Sequence, residues 1–495
     1  MNHLIAAVDL GSNSFRLLIG RVVSEAGITQ VFPVDRMKET VRLAAGLRAD
    51  KVLDEPAVDR AVAVLERFGE RLRSFHPDRV RAVATNTFRV ARNVADFLPR
   101  AEAALGFPIE IIAGREEARL IFAGVAHSLP ASPAKRLVVD IGGGSTEFIV
   151  GRGHEPELME SLYMGCVSYS QRFFPGGYIE AWNMKEAEMS ARREVEVIGR
   201  SFRKAAWKEA YGSSGTAKAL NAILTDMGWS DDGITRKGMH KLREALIKAG
   251  SVQAANLKGI KASRIEVLPG GLAIMMALFD ELGIERMLPA DGALRLGVLY
   301  DLLGREAAQD KRHDTVRLFM MRYEVDAAQA LRVRRAALEL YSQLRGPIDE
   351  DEDLRALLGW TADLHEAGLS ISHAGYQKHS AYILEHADMP GFSRREQQCM
   401  AQLALWQVGK LQRSEGQSLP AALHLPILSL RLATLLMRRR EDLSPLPLQA
   451  EREAEIVLLR VDSAWLAEHP LTDYALRRES SEWRKVGLTL KLLEV

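Results

Sequence analysis

Val8-Asp9-Leu10-Gly11-Ser12-Asn13-Ser14-Phe15-Arg16, followed by Leu17-Leu18-Ile19-Gly20, is met again, position for position, in Val139-Asp140-Ile141-Gly142-Gly143-Gly144-Ser145-Thr146-Glu147, followed by Phe148-Ile149-Val150-Gly151. Each run reads as an apolar strand, a Gly- and Ser-rich turn and a second apolar strand. An Asp ends each first strand. The glycines are read as supplying the positive φ of a tight turn, and the free backbone N–H groups of such a turn form a cradle for an anion. Internal repetition at this separation predicts two similar α/β domains facing each other across a cleft, with one turn from each side gripping the same ligand.

Outward from these turns, strand and helix signals alternate. Asp54-Glu55-Pro56 starts a helix whose Ala61, Leu65, Phe68, Leu72 and Phe75 share one face. Residues 79–84 read as a strand, followed by Thr85-Asn86-Thr87 and a helix through Phe97. Residues 109–112 read as another strand, and Gly114-Arg115-Glu116-Glu117 opens a helix to about Val125. The second half repeats the scheme from Leu137. Its landmarks are Met164-Gly165-Cys166-Val167-Ser168, Gly212-Ser213-Ser214-Gly215-Thr216 and Leu268-Pro269-Gly270-Gly271, with a closing helix from Ala290 to about Leu303. Gly-rich turns that open helices add the helix N-terminal field for an anion, which makes Gly215 a candidate phosphate contact. Alternating strands and helices place ligands at the strand ends, where these polar clusters gather.

At 495 residues the chain exceeds one hydrophobic core, and three or four domains are expected. With 47% hydrophobic and 26% charged residues it has the composition of a soluble globular protein. Asp280 cuts the apolar run 272–279 and Asp9 cuts the N-terminal one, so neither a membrane span nor a signal peptide is predicted. Two cysteines, Cys166 and Cys399, form no disulfide framework and suit a cytoplasmic setting; Cys166, between Gly165 and Val167, reads as a small buried filler. A net charge of +1 leaves a polyanionic partner to be decided by local clustering.

Phosphoanhydride hydrolysis needs donors on the phosphate oxygens, a divalent ion to spread charge and a base to orient water. Asn13, Ser14, Gly142, Gly143, Gly144 and Ser145 offer the donors, and Arg16 and Arg89 offer fixed positive charge. Asp140 and Glu147, at the two ends of one turn, are oxygen donors of the kind Mg²⁺ prefers.

The paired turns resemble those of the sugar kinase, actin and heat-shock chaperone superfamily. Asp140-Ile141-Gly142-Gly143-Gly144-Ser145-Thr146-Glu147 is similar to the signature of the exopolyphosphatase and guanosine pentaphosphate phosphatase family. The resemblance spans roughly the first 300 residues. It implies two ribonuclease-H-like (actin-like) domains around a cleft, over 1–125 and 126–304, and magnesium-dependent removal of a terminal phosphate. The second Glu of Glu116-Glu117-Ala118-Arg119 would activate water; a first-turn carboxylate without that resemblance reads as a helix cap. Inorganic polyphosphate is the expected partner, with guanosine pentaphosphate the alternative and no nucleic acid. An ATP-dependent kinase and a nucleotide-switched binding module are the more distant readings.

From Arg305 the pattern turns helical, and 305–450 resembles the all-α HD-like domain of the longer family members, ahead of a small α+β module over 451–495. His365-Glu366 stands where HD hydrolases have a His-Asp pair, a departure that counts against a metal site there and leaves metal binding by this domain open. Arg332, Arg334, Arg335, Lys378, Arg394, Arg395 and the run Arg438-Arg439-Arg440 are read as a groove for a long polyanion, allowing repeated cuts; a homodimer is also expected.

Overall fold

β1 (Asn2–Leu10) turns into β2 (Ser14–Glu25), which pairs with β3 (Ile28–Thr40); α1 (Glu55–Leu72), β4 (Val80–Ala84), α2 (Asn86–Val90), α3 (Val94–Leu105), β5 (Ile109–Ile111) and α4 (Gly114–Ser128) follow. The first sheet runs β3-β2-β1-β4-β5, with an antiparallel β1–β2–β3 meander and β4 and β5 parallel to β1. The side chain of Asp54 caps α1 by accepting from Ala57 N–H at 2.8 Å.

The second half is β6 (Arg136–Ile141), β7 (Thr146–Arg152), β8 (Glu155–Leu162), α5 (Cys166–Phe173), α6 (Ala181–Lys204), β9 (Glu209–Gly212), α7 (Gly215–Asp226), β10 (Ile234–Thr235), α8 (Arg236–Ala249), α9 (Leu268–Leu282), β11 (Arg286–Pro289) and α10 (Leu294–Glu306). Read from β8, its sheet runs β8-β7-β6-β9-β11-β10. β8, β7, β6, β9 and β11 therefore repeat the positions of β3, β2, β1, β4 and β5, with the same antiparallel and parallel pairings. This computed structural model describes residues 2–25, 28–130, 132–306, 310–345, 352–411, 419–453 and 455–495. The chain divides into two units, Met1–Asp310 and Lys311–Val495.

Alternation along the strands decides where the site lies, because successive side chains face opposite sides of a sheet. Ala6, Val8, Leu17 and Ile19 join a core with α1 and α3, while Ile5, Ala7, Leu18 and Val83 face a second core built from α4 and α10. That second core continues into Val138 and Ile149 of the other sheet, whose Leu137, Val139, Phe148 and Val150 face away. α4 and α10 are thus packed between the two sheets. By the same parity Asp9, Arg16, Asp140 and Glu147 point into this middle layer, at its open end.

The closing helix begins at Leu294 rather than Ala290, and it does not finish the second sheet. Its Val298, Leu299 and Leu302 cover Ile5, Ala7 and Leu18 of the first. A division of the first unit at 125 and 304 therefore separates this helix from a sheet it covers, since α10 packs on that face of β1 and β2 in one core with α4.

The second unit holds α11 (Lys311–Arg322), α12 (Ala327–Arg345), α13 (Glu352–Leu364), α14 (Tyr376–His386), α15 (Arg394–Trp406), α16 (His424–Leu436), β12 (Leu448–Glu453), β13 (Ile456–Val461), α17 (Ser463–Glu468), α18 (Pro470–Arg484) and β14 (Thr489–Glu494). The three strands are not a separate module. Leu448, Val457, Leu459 and Leu490 share one core with Val333, Leu340, Ile427 and Leu430 of the helices. The stretch Ala421–Arg439 is long and apolar enough, by length and composition, to cross a membrane, but Ile427, Leu428, Leu430 and Leu432 are wholly buried in this core. Its Arg431 is buried as well, held by Glu479 at 2.6 Å and by the carbonyls of Trp406 and Gly409.

Candidate active site

Each turn joins two neighbouring strands, so the residues at its ends are cross-strand partners with side chains on one face. In the first turn the partners are Asp9 and Arg16; in the second, Asp140 and Glu147. None of Gly11, Gly142, Gly143 and Gly144 lies at positive φ, which corrects the conformational role read from sequence. Space is the reason for glycine here. A Cβ on Gly144 would sit 2.6 Å from Asn86 Oδ1, one on Gly143 would sit 3.1 Å from Ser12 Cβ, and one on Gly165 would sit 2.3 Å from Gly143 itself. The two turns are packed tip to tip.

Both are braced from behind. The carbonyl of Asn13 accepts from Val41 and Arg42 at 3.1 and 2.9 Å, and that of Ser12 accepts from Ala44 at 2.9 Å. Cys166 N–H donates to the carbonyl of Gly142 at 2.9 Å, and Val167 and Ser168 donate to Gly143 at 3.0 and 3.2 Å. The Gly212–Thr216 loop supports β6: Ser213 Oγ donates to Asp140 Oδ2 at 2.6 Å, and Ser214 caps α7. The other Gly-rich helix start serves packing, since a Cβ on Gly270 would meet Ser170 N at 2.6 Å and residues 268–271 are buried. Cys166 is a buried free thiol, pushed up by burial.

Glu117 lies in the first turn of α4, 7% exposed. Its Oε2 accepts from Arg89 Nη1 at 2.7 Å, and the same nitrogen donates to the Ile112 carbonyl at 3.0 Å. Burial raises the Glu117 carboxyl; Arg89 opposes the rise, and Asp9 and Asp140 add to it. Glu147 is raised well above the usual carboxylate range by burial, then by Glu117 and Asp140, although Ser161 Oγ donates to its Oε1 at 2.9 Å. Burial also raises Asp140 and Asp9. The base candidate, both carboxylates of the second turn and the carboxylate of the first therefore share one electrostatic environment.

Cations face them. Among the described residues the guanidinium groups of Arg264 and Arg295 have neither a hydrogen bond nor an ion pair. Burial and then Arg16 hold Arg295 down, to about 10. Burial likewise lowers Arg264, against a pull from Cys166, with Arg16 adding to the fall. Gly215 makes room for Arg264, whose Nη2 stands 1.9 Å from where a Cβ would be. Lys38, the cross-strand partner of Arg16, is lowered by burial and by Arg16, Arg264, Lys261 and Arg295. A buried donor is also left over: Asn86 Nδ2, beside Gly144, has no partner. Mutually repelling cations and an orphan donor around the two turns describe an anion site.

Residues 21–306 match the Ppx/GppA phosphatase family, and residues 312–480 match domain III of the same family. The chain belongs to the Ppx/GppA phosphatase family. An exopolyphosphatase of Cytophaga hutchinsonii superposes with a TM-score of 0.55 at 23% identity, over 61% of this chain and 98% of that one. A Ppx/GppA family member of Aquifex aeolicus gives 0.52 at 24%, over 62% and 99%. A structure of the Aquifex aeolicus PPX-GPPA enzyme gives 0.50 at 25%, over 60% and 99%. The two-sheet half is the actin-like fold of these Ppx/GppA proteins, followed by a mainly helical half.

The structure brings Asn13, Ser14, Arg16, Arg89, Glu117, Asp140, Gly142, Gly143, Gly144, Ser145 and Glu147 to one end of the layer between the sheets, with Gly215 behind Arg264. Ser12, Asn86, Arg264 and Arg295 join them without having been singled out. Asn86 lies three residues before Arg89 in the Thr85-Asn86-Thr87 turn, whereas no local pattern marks Arg264. Among the described residues no three His, Cys, Asp or Glu side chains gather as a metal cluster. Asp140 and Glu147 nonetheless suit a hard divalent ion: Asp140 is half-buried and Glu147 buried, each is held by a serine hydroxyl, and Mg²⁺ takes one or two carboxylates plus waters and substrate phosphates.

In the domain III half the expected polyanion groove loses several members to internal ion pairs. Arg332 pairs with Asp442 at 2.7 Å, Arg334 with Asp363, and Arg440 with Asp326 at 2.9 Å and Glu366 at 2.8 Å. His365 is buried, lowered by burial, with Nδ1 at 2.7 Å from the Ala362 carbonyl.

Proposed function

We propose that this member of the family is an exopolyphosphatase, removing the terminal phosphate of inorganic polyphosphate. The observation that carries the reading is Glu117: a buried carboxylate oriented by Arg89, raised by the acids of both turns, and opposite Arg264 and Arg295, which form no ion pair among the described residues. The terminal phosphoryl group is held between the turns by backbone N–H groups of residues 13–14 and 143–145, with Arg16, Arg89 and Asn86 Nδ2 on its oxygens. Glu117 takes a proton from a water aligned with the last bridging oxygen. The water oxygen bonds to phosphorus, the bond from phosphorus to the bridging oxygen breaks, and a chain one unit shorter leaves with that electron pair. Asp140 and Glu147 would hold Mg²⁺, which spreads the charge of the phosphoryl oxygens when bound.

Polyphosphate is favoured over guanosine pentaphosphate by the cations crowded around Arg16: Lys38, Lys261, Arg264 and Arg295 suit a continuing row of phosphates better than a purine. Phosphate release measured side by side on long-chain polyphosphate and guanosine pentaphosphate tests the preference. Glu117→Gln tests the base. It is expected to retain substrate binding and lose at least about a hundredfold in turnover; wild-type turnover would remove the mechanism.

A further inference from the structure

The run Glu116-Glu117-Ala118-Arg119 sends one acid toward the turns and leaves Glu116 and Arg119 without a task in hydrolysis. Both are buried in an ionic network of three arginines and three carboxylates on the far side of α4. Arg119 holds Glu116 through Nε at 2.7 Å and Nη2 at 2.8 Å, and its Nη2 also donates to Asp301 on α10. Arg81 of β4 donates to Asp301 at 2.5 Å and to Glu110 of β5 at 2.9 Å, and comes within 3.9 Å of Glu116. Arg305 reaches Asp301 at 3.3 Å and Glu110 at 3.8 Å. The side chains of Arg81, Glu116 and Asp301 are 2%, 1% and 7% exposed, so water does not mediate their order.

Such a network is a weak source of net stability, because desolvation offsets most of its attraction; what it supplies is defined geometry. Here geometry is wanted. α4 and α10 touch backbone to backbone: a Cβ on Gly297 would lie 1.7 Å from the Leu120 carbonyl, one on Gly124 2.2 Å from that of Ala293, and one on Gly292 2.1 Å from that of Gly124. A contact of glycines has no knobs to resist rolling or sliding. The pairs from Arg119 to Asp301 and Glu116 fix what that smooth contact leaves free. Neighbours on a helix project about 100° apart, so the roll that seats Glu116 in the network also sets the direction of Glu117.

We infer that Asp301 is a positioning residue for the hydrolysis, acting through Arg119 and Glu116 to fix the roll of α4 and so the aim of Glu117. The inference rests on Glu117 being the base. A misplacement of about 1 Å at a reacting group costs on the order of a hundredfold in rate, while the phosphate grips, which sit on other elements, keep substrate affinity.

The test compares Asp301→Asn with the charge-balanced pair Asp301→Asn/Arg119→Met, reading kcat and KM for phosphate release from polyphosphate alongside the melting temperature. Both are expected to lose about ten- to a hundredfold in kcat with KM within about twofold of wild type. The pair should recover most of the melting temperature that the single variant loses, because its network is neutral again. Wild-type kcat in the pair would overturn the inference, as would a loss carried by KM, or a kcat that simply follows melting temperature. If Asp301→Asn does not fold, the pair alone decides. Glu117→Gln, run in parallel, separates the two claims: turnover in that variant sinks the base assignment, whereas its loss beside a wild-type-like pair sinks only the role of Asp301.

Discussion

The two turns share a frame and differ in charge. Where the first carries Arg16 opposite Asp9, the second carries Glu147 opposite Asp140, at the same register and on the same face. Arg16 offsets the charge of Asp9 and stands among cations that lack partners; Glu147 stands among carboxylates and is driven toward its protonated form. The repeated register thus sets where the side chain points, and Arg16 against Glu147 gives the two sides opposite charge. The bracing differs in the same sense. Backbone N–H groups tie down both turns, those of residues 41–44 the first and those of residues 166–168 the second, but only the second adds hydroxyls, Ser161 and Ser213, on its acids.

The largest expected effect comes from the acidic side. Glu147→Gln should reduce turnover by at least about a hundredfold while leaving polyphosphate binding near wild type, as read from phosphate release and equilibrium binding. Arg16→Gln should cost about ten- to a hundredfold in kcat/KM, mostly through KM, since a charge-assisted hydrogen bond contributes about 1.5–3 kcal/mol. Matching kcat and KM effects in the two variants would erase the distinction between the turns.

Packing separates them next. Gly144→Ala brings a methyl to 2.6 Å from Asn86 Oδ1, while Gly11→Ala meets its nearest neighbour, the Ser14 carbonyl, at 3.2 Å. Denaturant unfolding should show about 1–3 kcal/mol lost in the first and less in the second; the reverse order would mean that the first turn is the tighter one.

The smallest effect is on pH dependence. Burial holds Asp140 and Glu147 above their ordinary values of 3.8 and 4.5. The folded chain therefore keeps protons that the unfolded chain has released, so this contribution to stability is present below the ordinary values and lost as pH rises toward the raised ones. Without added metal the melting temperature should fall by a few degrees across that window. Glu147→Gln should flatten the fall and Mg²⁺ should offset it; a slope unchanged by either would show that the acidic turn carries no such strain.

Features fixed by short-range rules were legible in the sequence. The two strand-turn-strand runs follow the repeat read from residues 8–20 and 139–151, and the helix opened by Gly114 follows the start read there, with Glu117 in its first turn. What sequence could not supply were encounters between distant segments. Arg264 reaches the site from a short turn and Arg295 from the start of α10, and neither sits in a local pattern that marks it. The ion pairs of Arg332, Arg334 and Arg440 within the expected groove were hidden for the same reason: their partners Asp442, Asp363 and Asp326 lie far off in sequence, and a run of arginines does not reveal whether its charge is already matched. The turn glycines were assigned to conformation when their reason was room, which only the neighbouring chain could disclose.

The placement of α10 bears on how this protein is made. Ile5, Ala7 and Leu18 leave the ribosome ahead of Val298, Leu299 and Leu302, side chains that cover them and are translated only after the whole second sheet. The nascent first sheet therefore waits with that face only partly covered, the situation in which growing chains associate wrongly or engage a chaperone. A truncation ending before residue 294 would keep that exposure permanently, and shortened versions of the enzyme meant to isolate the first domain should aggregate unless α10 is supplied with them.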